Sequence, residues 1–306
     1  MDKFVEVTGL KKNYNSLKAV DEVSFYIDSG EVFGLLGPNG AGKTTTIEIM
    51  EGLRKADGGS VRIAGMNPQK NDFNLKQIIG VQLQSSAMEE RLKAREALQL
   101  FGSYYKKTLS PDYLLEMVDM AEKKNTFYSK LSGGQQKRLA LAIALVNDPR
   151  MVFLDEPTTG LDAQSRRNIW EIIKRLKSEG RTVLLTTHYI EEAENLCDRV
   201  AIIDHGKIIA EGTPAELVTQ SGISHKILFK TQTSPGEKTI HSLSDKYGKL
   251  ELEDDTYRLK SDQAGKPLIE LIKLLEEENN RLTDLHLVRP TLEDVFIELT
   301  GRRIRD

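Results

Sequence analysis

A glycine-rich segment early in the chain has the spacing of a phosphate-binding loop. Its residues are Gly37, Pro38, Asn39, Gly40, Ala41, Gly42, Lys43, Thr44 and Thr45. Glycines let the backbone wrap its N–H groups around phosphate oxygens, and a following helix would point its positive N-terminus at the same anion. Lys43 would reach the β- and γ-phosphates of a nucleotide, Thr44 would ligate Mg²⁺ and Thr45 would lie near the α-phosphate.

Two adjacent acids, Asp155 and Glu156, follow the apolar run Met151–Leu154, which is typical of a buried strand. Neighbouring side chains at the end of a strand point to opposite faces, so the two carboxylates can have different roles. Asp155 would support Mg²⁺, commonly through water, and Glu156 would polarise the attacking water as a general base. Together with the phosphate loop, the pair predicts transfer of a phosphoryl group to water.

A second glycine pair precedes another predicted helix. It lies in the segment Leu131, Ser132, Gly133, Gly134 and Gln135. The helix N-terminus, the hydroxyl and the glycines make this segment available to an anion. Because one nucleotide needs one phosphate loop, a second phosphate-binding helix end in the same chain indicates a nucleotide shared between two copies.

The elements that must position these residues alternate between strands and helices. The apolar run Glu31–Leu36 leads into the phosphate loop, and a helix leaves it from Lys43 to about Glu51. The strand Met151–Leu154, the helix Ala163–Ser178 and the strand Thr182–Thr186 then predict an α/β fold with a parallel sheet covered on both faces. The glycine spacing differs from the dinucleotide fingerprint, which excludes a hydride-transfer site of that type.

Two other regions differ in pattern from this α/β framework. From Glu89 to about Val146 the apolar residues recur at three- and four-residue spacing, which predicts a helical insertion. A second region begins near Ser221, and its short strands and its helix Pro267–Asn280 predict a small α+β domain without a chemical motif.

Composition and charge narrow the class of protein. The chain has 306 residues and a formal net charge of −3. Neither the part up to residue 220 nor the rest of the chain has an excess of basic residues, which argues against a general nucleic-acid binder. Cys197 is the single cysteine, so an internal disulfide is excluded and a reducing, cytosolic setting is expected. The first residues lack a signal-peptide pattern. The longest apolar run, Leu139–Val146, is far shorter than the roughly 20 residues that cross a bilayer.

The sequence resembles the ATP-binding subunits of ABC transporters over residues 1 to about 220. The resemblance rests on the order and spacing of the phosphate loop, Leu131–Gln135, the strand and acids at 151–157, Gly160–Asp162, and His188. It implies a P-loop NTPase cassette with a mixed-sheet core, an antiparallel β subdomain and a helical subdomain at about 86–147. Residues 221–306 would form a C-terminal accessory α+β domain.

The resemblance also implies roles for single residues around the nucleotide. Tyr14 occupies the place of an aromatic side chain that stacks on adenine. Gln84 matches a glutamine that contacts Mg²⁺ and water and senses the membrane partner, and the nearby Gln82 leaves an ambiguity in that assignment. His188 matches a histidine that contacts the γ-phosphate.

The resemblance also implies residues that act between two copies of the chain. Ser132 and Gly134, with their neighbours Gly133 and Gln135, would bind the γ-phosphate held by the other subunit, and Asp162 would couple the two sites. The resemblance thus implies a homodimer, or a pair with a related ATPase subunit, that holds ATP and Mg²⁺ between its members. Hydrolysis of the shared ATP would let the pair reopen.

The implied process is export. Because no membrane span is predicted, the resemblance implies separate integral permease subunits and a peripheral place at the cytoplasmic face of the membrane. The C-terminal segment at 289–302 is similar to ATPases that serve ABC-2-type exporters, including multidrug, antibiotic-resistance and sodium-efflux systems. Apolar residues at Leu92, Leu98 and Leu100 could line a groove that receives a permease helix.

Two other functions stay open at this point. A soluble ABC ATPase could act in translation or DNA maintenance, although such proteins carry two cassettes or a long coiled coil, and this chain has one phosphate loop and no sustained heptads. Residues 221–306 could also have a regulatory or sensor role. The transported substrate cannot be predicted from the sequence, because the ATPase subunit need not touch it.

Overall fold

The computed structural model describes residues 3–70, 72–82, 88–262 and 265–301. The chain divides into two compact units, one ending at Pro214 and the next beginning at Ala215. The sequence predicts a boundary near residue 220, whereas the division lies at the start of the helix Pro214–Gln220 and groups nearly all of it with the second unit. In the part of the chain that is described, no helix has the length and hydropathy to cross a membrane.

Strands and helices alternate along the first unit. The strands are β1 (Lys3–Tyr14), β2 (Leu17–Asp28), β3 (Val32–Leu36), β4 (Gly58–Ile63), β5 (Ile79–Gln82), β6 (Met151–Asp155), β7 (Thr182–Thr187), β8 (Arg199–Asp204) and β9 (Lys207–Gly212). The helices are α1 (Lys43–Met50), α2 (Phe73–Ile78), α3 (Ala94–Gly102), α4 (Pro111–Met117), α5 (Gly133–Ala144), α6 (Ala163–Ser178) and α7 (Ile190–Leu196).

A mixed sheet of six strands forms the centre of the first unit, in the order β5-β6-β7-β3-β8-β9. All neighbouring pairs are parallel except β8 with β9. Every residue of β3, β6 and β7 is buried, because strands in the middle of a parallel sheet are covered on both faces. The α/β fold class predicted from the apolar runs is therefore confirmed.

A smaller antiparallel sheet, in the order β2-β1-β4, completes the β part of this unit. The sequence pattern predicts short strands at 4–7 and 23–27, whereas β1 and β2 each have 12 residues and form a longer hairpin. Its inward side chains, among them Val5, Val7 and Leu10, join the core that also contains Ile47 and Met50 of α1. The hairpin thus packs with the helix that follows the phosphate loop.

The helices α3, α4 and α5 lie in the segment predicted as a helical insertion. The helix α3 buries Ala94, Ala97 and Leu98, and α5 buries Leu139 and Leu141 among others. Apolar residues three and four positions apart share one face of a helix, which explains why the periodicity was readable in the sequence.

The second unit is a small α+β fold. Its elements are α8 (Pro214–Gln220), β10 (His225–Thr231), α9 (Glu237–Tyr247), β11 (Leu250–Glu253), β12 (Thr256–Ser261), α10 (Gly265–Glu277), β13 (Leu282–Val288) and α11 (Leu292–Thr300). The four strands form an antiparallel sheet in the order β11-β12-β10-β13. Its core brings Ile227, Phe229 and Leu259 of the sheet together with Leu243 of α9 and Leu271 of α10.

Glu51, directly after α1, should make the stability of the protein depend on pH. Its carboxylate is buried, neither oxygen has a hydrogen-bond partner among the described residues, and burial raises its pKa from 4.5 to about 8. Since the unfolded chain loses this proton first, stability should fall as the pH rises from about 5 to about 8. Urea unfolding should show that Glu51→Gln removes this fall and is roughly 2–4 kcal/mol more stable than wild type near pH 8.5. Equal pH dependence in both proteins would contradict the prediction.

Candidate active site

Three adjacent strands of the central sheet end at one edge and bring the predicted site residues together. The strand β3 leads into the phosphate loop, β6 ends at Asp155, and β7 ends just before His188. Parallel registry pairs Leu36 with Thr187 and Asp155 with Thr186, so the three carboxyl ends are level. The site lies outside the carboxyl ends of parallel strands, where open α/β sheets bind their ligands.

Two glycines of the phosphate loop are required by the way the loop packs on its own chain. A Cβ atom at Gly37 would come within 2.2 Å of the Ile203 carbonyl oxygen. A Cβ atom at Gly42 would come within 2.3 Å of the Ala19 carbonyl oxygen, and Gly42 has a φ of 104°, which other residues rarely adopt. Gly42 is also the N-cap of α1, whose first N–H groups have no partner within the helix and face the loop.

The ammonium group of Lys43 lies inside this loop. Its Nζ donates hydrogen bonds to the carbonyl oxygens of Gly37 at 2.8 Å and Pro38 at 3.2 Å, and lies 3.2 Å from Oε1 of Glu156. The side chain is only 4% exposed. Burial lowers the pKa of Lys43, and the charge of Glu156 opposes that effect. A buried cation at this position is suited to an anionic phosphate.

Thr44, Asp155 and Thr186 form a cluster of oxygen atoms beside the loop. The Thr44 hydroxyl donates to Oδ1 of Asp155 at 3.4 Å, and the Thr186 hydroxyl donates to the same oxygen at 2.5 Å. Burial raises the pKa of Asp155, while hydrogen bonds from Thr186 and Thr44 oppose the rise. Hydroxyl and carboxylate oxygens are the ligands that Mg²⁺ prefers, so Thr44 and Asp155 fit the predicted metal site.

Glu156 has a strained backbone and several partners. Its φ is 46°, in the left-handed region, and its N–H donates to the Thr186 hydroxyl at 2.9 Å. The carboxylate lies 3.3 Å from Nδ1 of His188 and accepts a hydrogen bond from the Thr159 hydroxyl at 3.0 Å. His188, and then Lys43, lower the pKa of Glu156 to about 2 against the opposite effect of burial. The carboxylate is therefore ionised at neutral pH, as a general base must be.

A cavity of about 550 Å³ adjoins the phosphate loop. Its lining comprises Tyr14, Leu17, Lys18, Ala19, Asn39, Gly40, Gly42, Lys43, Thr44, Thr45, Glu156 and His205. Tyr14, the predicted adenine-stacking residue, therefore opens onto the same space as the loop. Of the described residues that line this cavity, none belongs to the segment 131–135.

The segment 131–135 instead packs near Asp162. Ser132 is the N-cap of α5, and its hydroxyl accepts from the Gln135 N–H at 3.3 Å. A Cβ atom at Gly134 would come within 2.6 Å of the Ser165 hydroxyl, which donates to Asp162 at 2.9 Å. A Cβ atom at Gly133 would have no atom of the described part of the chain within 4 Å. Two predicted site residues, Gly134 and Asp162, are thus linked through Ser165.

Comparisons with known proteins identify the family. The family model described as ABC transporter matches residues 20–159. The Nod factor export ATP-binding protein I of Sinorhizobium fredii is 38% identical over 315 residues, which cover 100% of this chain and 88% of that protein. The chain belongs to the ABC transporter ATPase family. The resemblance inferred from the motifs is confirmed, and the protein is an ATP-binding ATPase.

Other comparisons agree with this assignment of the ABC transporter ATPase. A daunorubicin resistance ATP-binding protein of Streptomyces coeruleorubidus is 36% identical over 309 residues, which cover 98% of this chain and 95% of that protein. The solved structure of an ATP-binding subunit of an ABC transporter has a TM-score of 0.65 and 28% identity, covering 72% of this chain and 93% of its own. A dimeric ATP-binding cassette in a post-hydrolysis state with ADP and Pi has a TM-score of 0.62 and 28% identity, covering 68% of this chain and 98% of its own.

Gln82 and Gln84 of the ABC transporter ATPase are the two candidates for the glutamine that contacts Mg²⁺ and water. Gln84, a predicted contact of Mg²⁺ and water, lies outside the described residues, so its role stays a prediction. Gln82 is the last residue of β5, is 1% exposed, and its amide has no hydrogen-bond partner within the described ranges. Thr186, which sequence reasoning missed, contacts both acids. The one sequence feature that could have pointed to Thr186 is its hydroxyl group near the end of a predicted strand, β7, which runs parallel to β6.

Replacing Tyr14 by Ala should weaken ATP binding without abolishing hydrolysis. The Tyr14 ring lies 5.4 Å from the Arg54 guanidinium and 5.7 Å from the Lys12 ammonium group, and it is partly exposed and lines the cavity where a base would bind. Loss of stacking should raise the KM for ATP roughly tenfold and leave kcat nearly unchanged, and Tyr14→Phe should behave like wild type.

Tyr113 provides a matched control for this measurement. It has the same exposure as Tyr14 and also lies near a guanidinium group, that of Arg175, but it belongs to α4. Tyr113→Ala should leave the KM for ATP unchanged. An unchanged KM in Tyr14→Ala, or an equal rise in both variants, would remove the adenine-stacking role from Tyr14.

Proposed function

We propose that this ABC transporter ATPase powers an exporter whose permease is a separate integral membrane subunit. The proposal is supported by relatives named for Nod factor export and for daunorubicin resistance, which match at least 98% of this chain. The observation that carries the catalytic part is the contact of Lys43, Glu156 and His188 at the mouth of the phosphate loop. The protein would act at the cytoplasmic face of the membrane.

In this proposal the site residues divide the binding of ATP and its hydrolysis among them. Residues 37–45 bind the phosphates, Tyr14 stacks on adenine, and Glu156 accepts the proton of the attacking water. His188 contacts the γ-phosphate and keeps Glu156 in place. Thr44, Asp155 and Gln84 would hold Mg²⁺, which supplies charge neutralisation at the β- and γ-phosphates when bound.

We also propose that two copies share each ATP. Among the described residues, the cavity at the phosphate loop has no lining residue from 131–135, and Ser132 and Gly133 are exposed at the N-terminus of α5. A second copy facing head to tail would bring its own Ser132, Gly133, Gly134 and Gln135 to the γ-phosphate, and Asp162 would couple the two sites. ATP then holds the homodimer closed, and loss of the γ-phosphate lets it open.

The permease contact is proposed for the helical part of the first unit. Leu98, one of the apolar residues expected to line a docking groove, is 2% exposed and packs inside, so that expectation was wrong for this residue. Leu92 is half-buried, whereas Leu100 is 46% exposed and Tyr104 is 67% exposed. Exposed apolar side chains on a helical surface are suited to a helix of an integral partner.

Co-purification tests the transport part of the proposal. The tagged chain, expressed with the membrane proteins encoded by neighbouring reading frames, should be recovered from membranes together with an integral permease. The double variant Leu100→Asp and Tyr104→Asp should lose the permease while keeping its ATPase activity in isolation. Ile269→Asp, which changes an apolar residue on α10 that is 58% exposed, should retain the permease. Recovery with ribosomes or DNA instead would contradict the proposal.

A further inference from the structure

The structure contains a buried carboxylate, that of Glu192 on α7, to which nothing has yet assigned a role. Glu192 is 1% exposed and accepts hydrogen bonds from three side chains. Its Oε1 accepts from the Thr158 hydroxyl and, at 3.1 Å, from the Trp170 indole N–H. Its Oε2 accepts from the Thr187 hydroxyl at 2.6 Å. The donors are also buried, so the network is closed to solvent.

Each donor to Glu192 belongs to a different segment of the chain. Thr158 lies two residues after Glu156, and Thr187 lies directly before His188. Trp170 belongs to α6, whose N-cap is Asp162. One carboxylate therefore connects the segment of the proposed general base, the segment of the proposed γ-phosphate contact and the helix that follows Asp162.

Thr187 extends the network to the phosphate loop. Its hydroxyl accepts a hydrogen bond from the Tyr189 N–H at 2.9 Å, which fixes the backbone on the far side of His188. Its carbonyl oxygen accepts from the Gly37 N–H at 3.2 Å. The position of His188 is thus determined on both sides by groups that depend on the Thr187 side chain and backbone.

Burying the carboxyl group of Glu192 has a cost in folding free energy. Removing an ionised group from water carries a penalty that only good hydrogen bonds offset, and a packed apolar side chain often stabilises a fold as well or better. An apolar side chain would not fix the directions of its neighbours, whereas hydrogen bonds to a carboxylate fix the positions of their donors. Two of the three donors, the Thr158 and Thr187 hydroxyls, belong to the segments that carry Glu156 and His188, whose mutual position matters for hydrolysis.

We infer that Glu192 is a positioning residue that holds His188 and the segment after Glu156 in the arrangement needed for ATP hydrolysis. The inference rests on the proposed roles of Glu156 and His188. Glu192 does not line the nucleotide cavity, and it contacts no residue of the phosphate loop through its side chain in the described part of the chain. It therefore acts on the rate of the chemical step and not on the binding of ATP.

Glu192→Gln in the full chain tests this assignment. The amide puts a donor where one carboxylate oxygen accepted, so at least one hydroxyl loses its acceptor. The rate of ATP hydrolysis should fall about 10–100-fold, in the range of losses from supporting-residue mutations. The Kd for a fluorescent ATP analogue should stay within about twofold of wild type, because uniform binding is untouched. A wild-type rate, or a loss of ATP binding equal to the loss of rate, would overturn the inference.

Three further variants separate positioning from simple stability. Trp170→Phe removes a hydrogen bond to the same carboxylate but leaves the Thr158 and Thr187 hydroxyls with their acceptor, so it should lower the urea midpoint and keep the rate. Thr187→Val should lower the rate as Glu192→Gln does, and Thr187→Ser, which keeps the hydroxyl, should restore it. Rates that follow the urea midpoint across all four variants would show a structural role only and overturn the inference.

Comparing Glu192→Gln with Glu156→Gln shows whether the positioning role of Glu192 fails or the proposed function itself fails. If Glu156→Gln is inactive while Glu192→Gln hydrolyses ATP at the wild-type rate, only the positioning role of Glu192 fails. If Glu156→Gln hydrolyses at the wild-type rate, the proposed catalytic roles fail first.

Discussion

Glu156→Gln is expected to lower the rate of ATP hydrolysis at least about 100-fold, the usual contribution of a general base. The amide keeps the size of the side chain but cannot accept a proton from water. The neighbouring Lys43 and His188 lower the pKa of Glu156 to about 2, so the wild-type group is a carboxylate throughout the neutral range. Binding of ATP should remain, because the loop and the adenine contact are unchanged.

Steady-state phosphate release and binding of a fluorescent ATP analogue measure the two parts of this prediction. Glu51→Gln is a matched control, because Glu51 is buried in the same unit but forms no hydrogen bond or ion pair with a site residue in the described ranges. The control should hydrolyse ATP at the wild-type rate. If Glu156→Gln also kept that rate, Glu156 would lose its proposed role.

Lys43→Met is expected to weaken ATP binding by about 2–5 kcal/mol, which corresponds to a 30-fold to several-thousand-fold rise in Kd. The ammonium group is 4% exposed and is surrounded by the carbonyl oxygens of Gly37 and Pro38. Removing the charge leaves the phosphates without their buried cation and leaves Glu156 without one of its partners. Hydrolysis should be lost together with binding.

Lys18 is the control for general charge in the Lys43 experiment. It lines the same cavity, but its side chain is 67% exposed, so solvent screens its charge. Lys18→Met should change the Kd for ATP by no more than about threefold. Comparable losses in both variants would indicate a diffuse electrostatic effect and contradict a specific role for Lys43.

The sequence was sufficient where chemistry or burial leaves a strong local pattern. The loop at 37–45 and the acids Asp155 and Glu156 were predictable because their residue types and spacing have few other uses. The strands β3 and β6 were predictable because both faces are covered, which makes them continuous apolar runs.

Elements whose burial is partial were harder to predict. The helix α9 was missed, because within it only Thr239 and Leu243 are buried and the apolar stripe is too sparse to give a helical period. The outer halves of β1 and β2 were missed because polar residues alternate there with few apolar ones. In both cases tertiary packing determines the structure, and a local sequence window does not contain it.

Site residues that act through other residues were also invisible in the sequence. Thr186 and Glu192 lie in ordinary strand and helix contexts, and their importance comes from partners 30 and 34 residues away along the chain, Glu156 and Thr158. No short motif encodes such contacts. They become visible only when parallel strands and the helices between them are assembled.

The central claim is that the segment 131–135 of one copy completes the ATP site of another. The most direct test is the mass in solution of Glu156→Gln with and without Mg²⁺-ATP, compared with the double variant Glu156→Gln and Gly133→Asp. Gly133 is exposed and an added Cβ there meets none of the described residues within 4 Å, so the aspartate should disturb only a partner's phosphate. We predict that Glu156→Gln doubles its mass with ATP, whereas the double variant binds ATP equally well and stays monomeric. Equal masses for the two proteins in the presence of ATP would contradict the account.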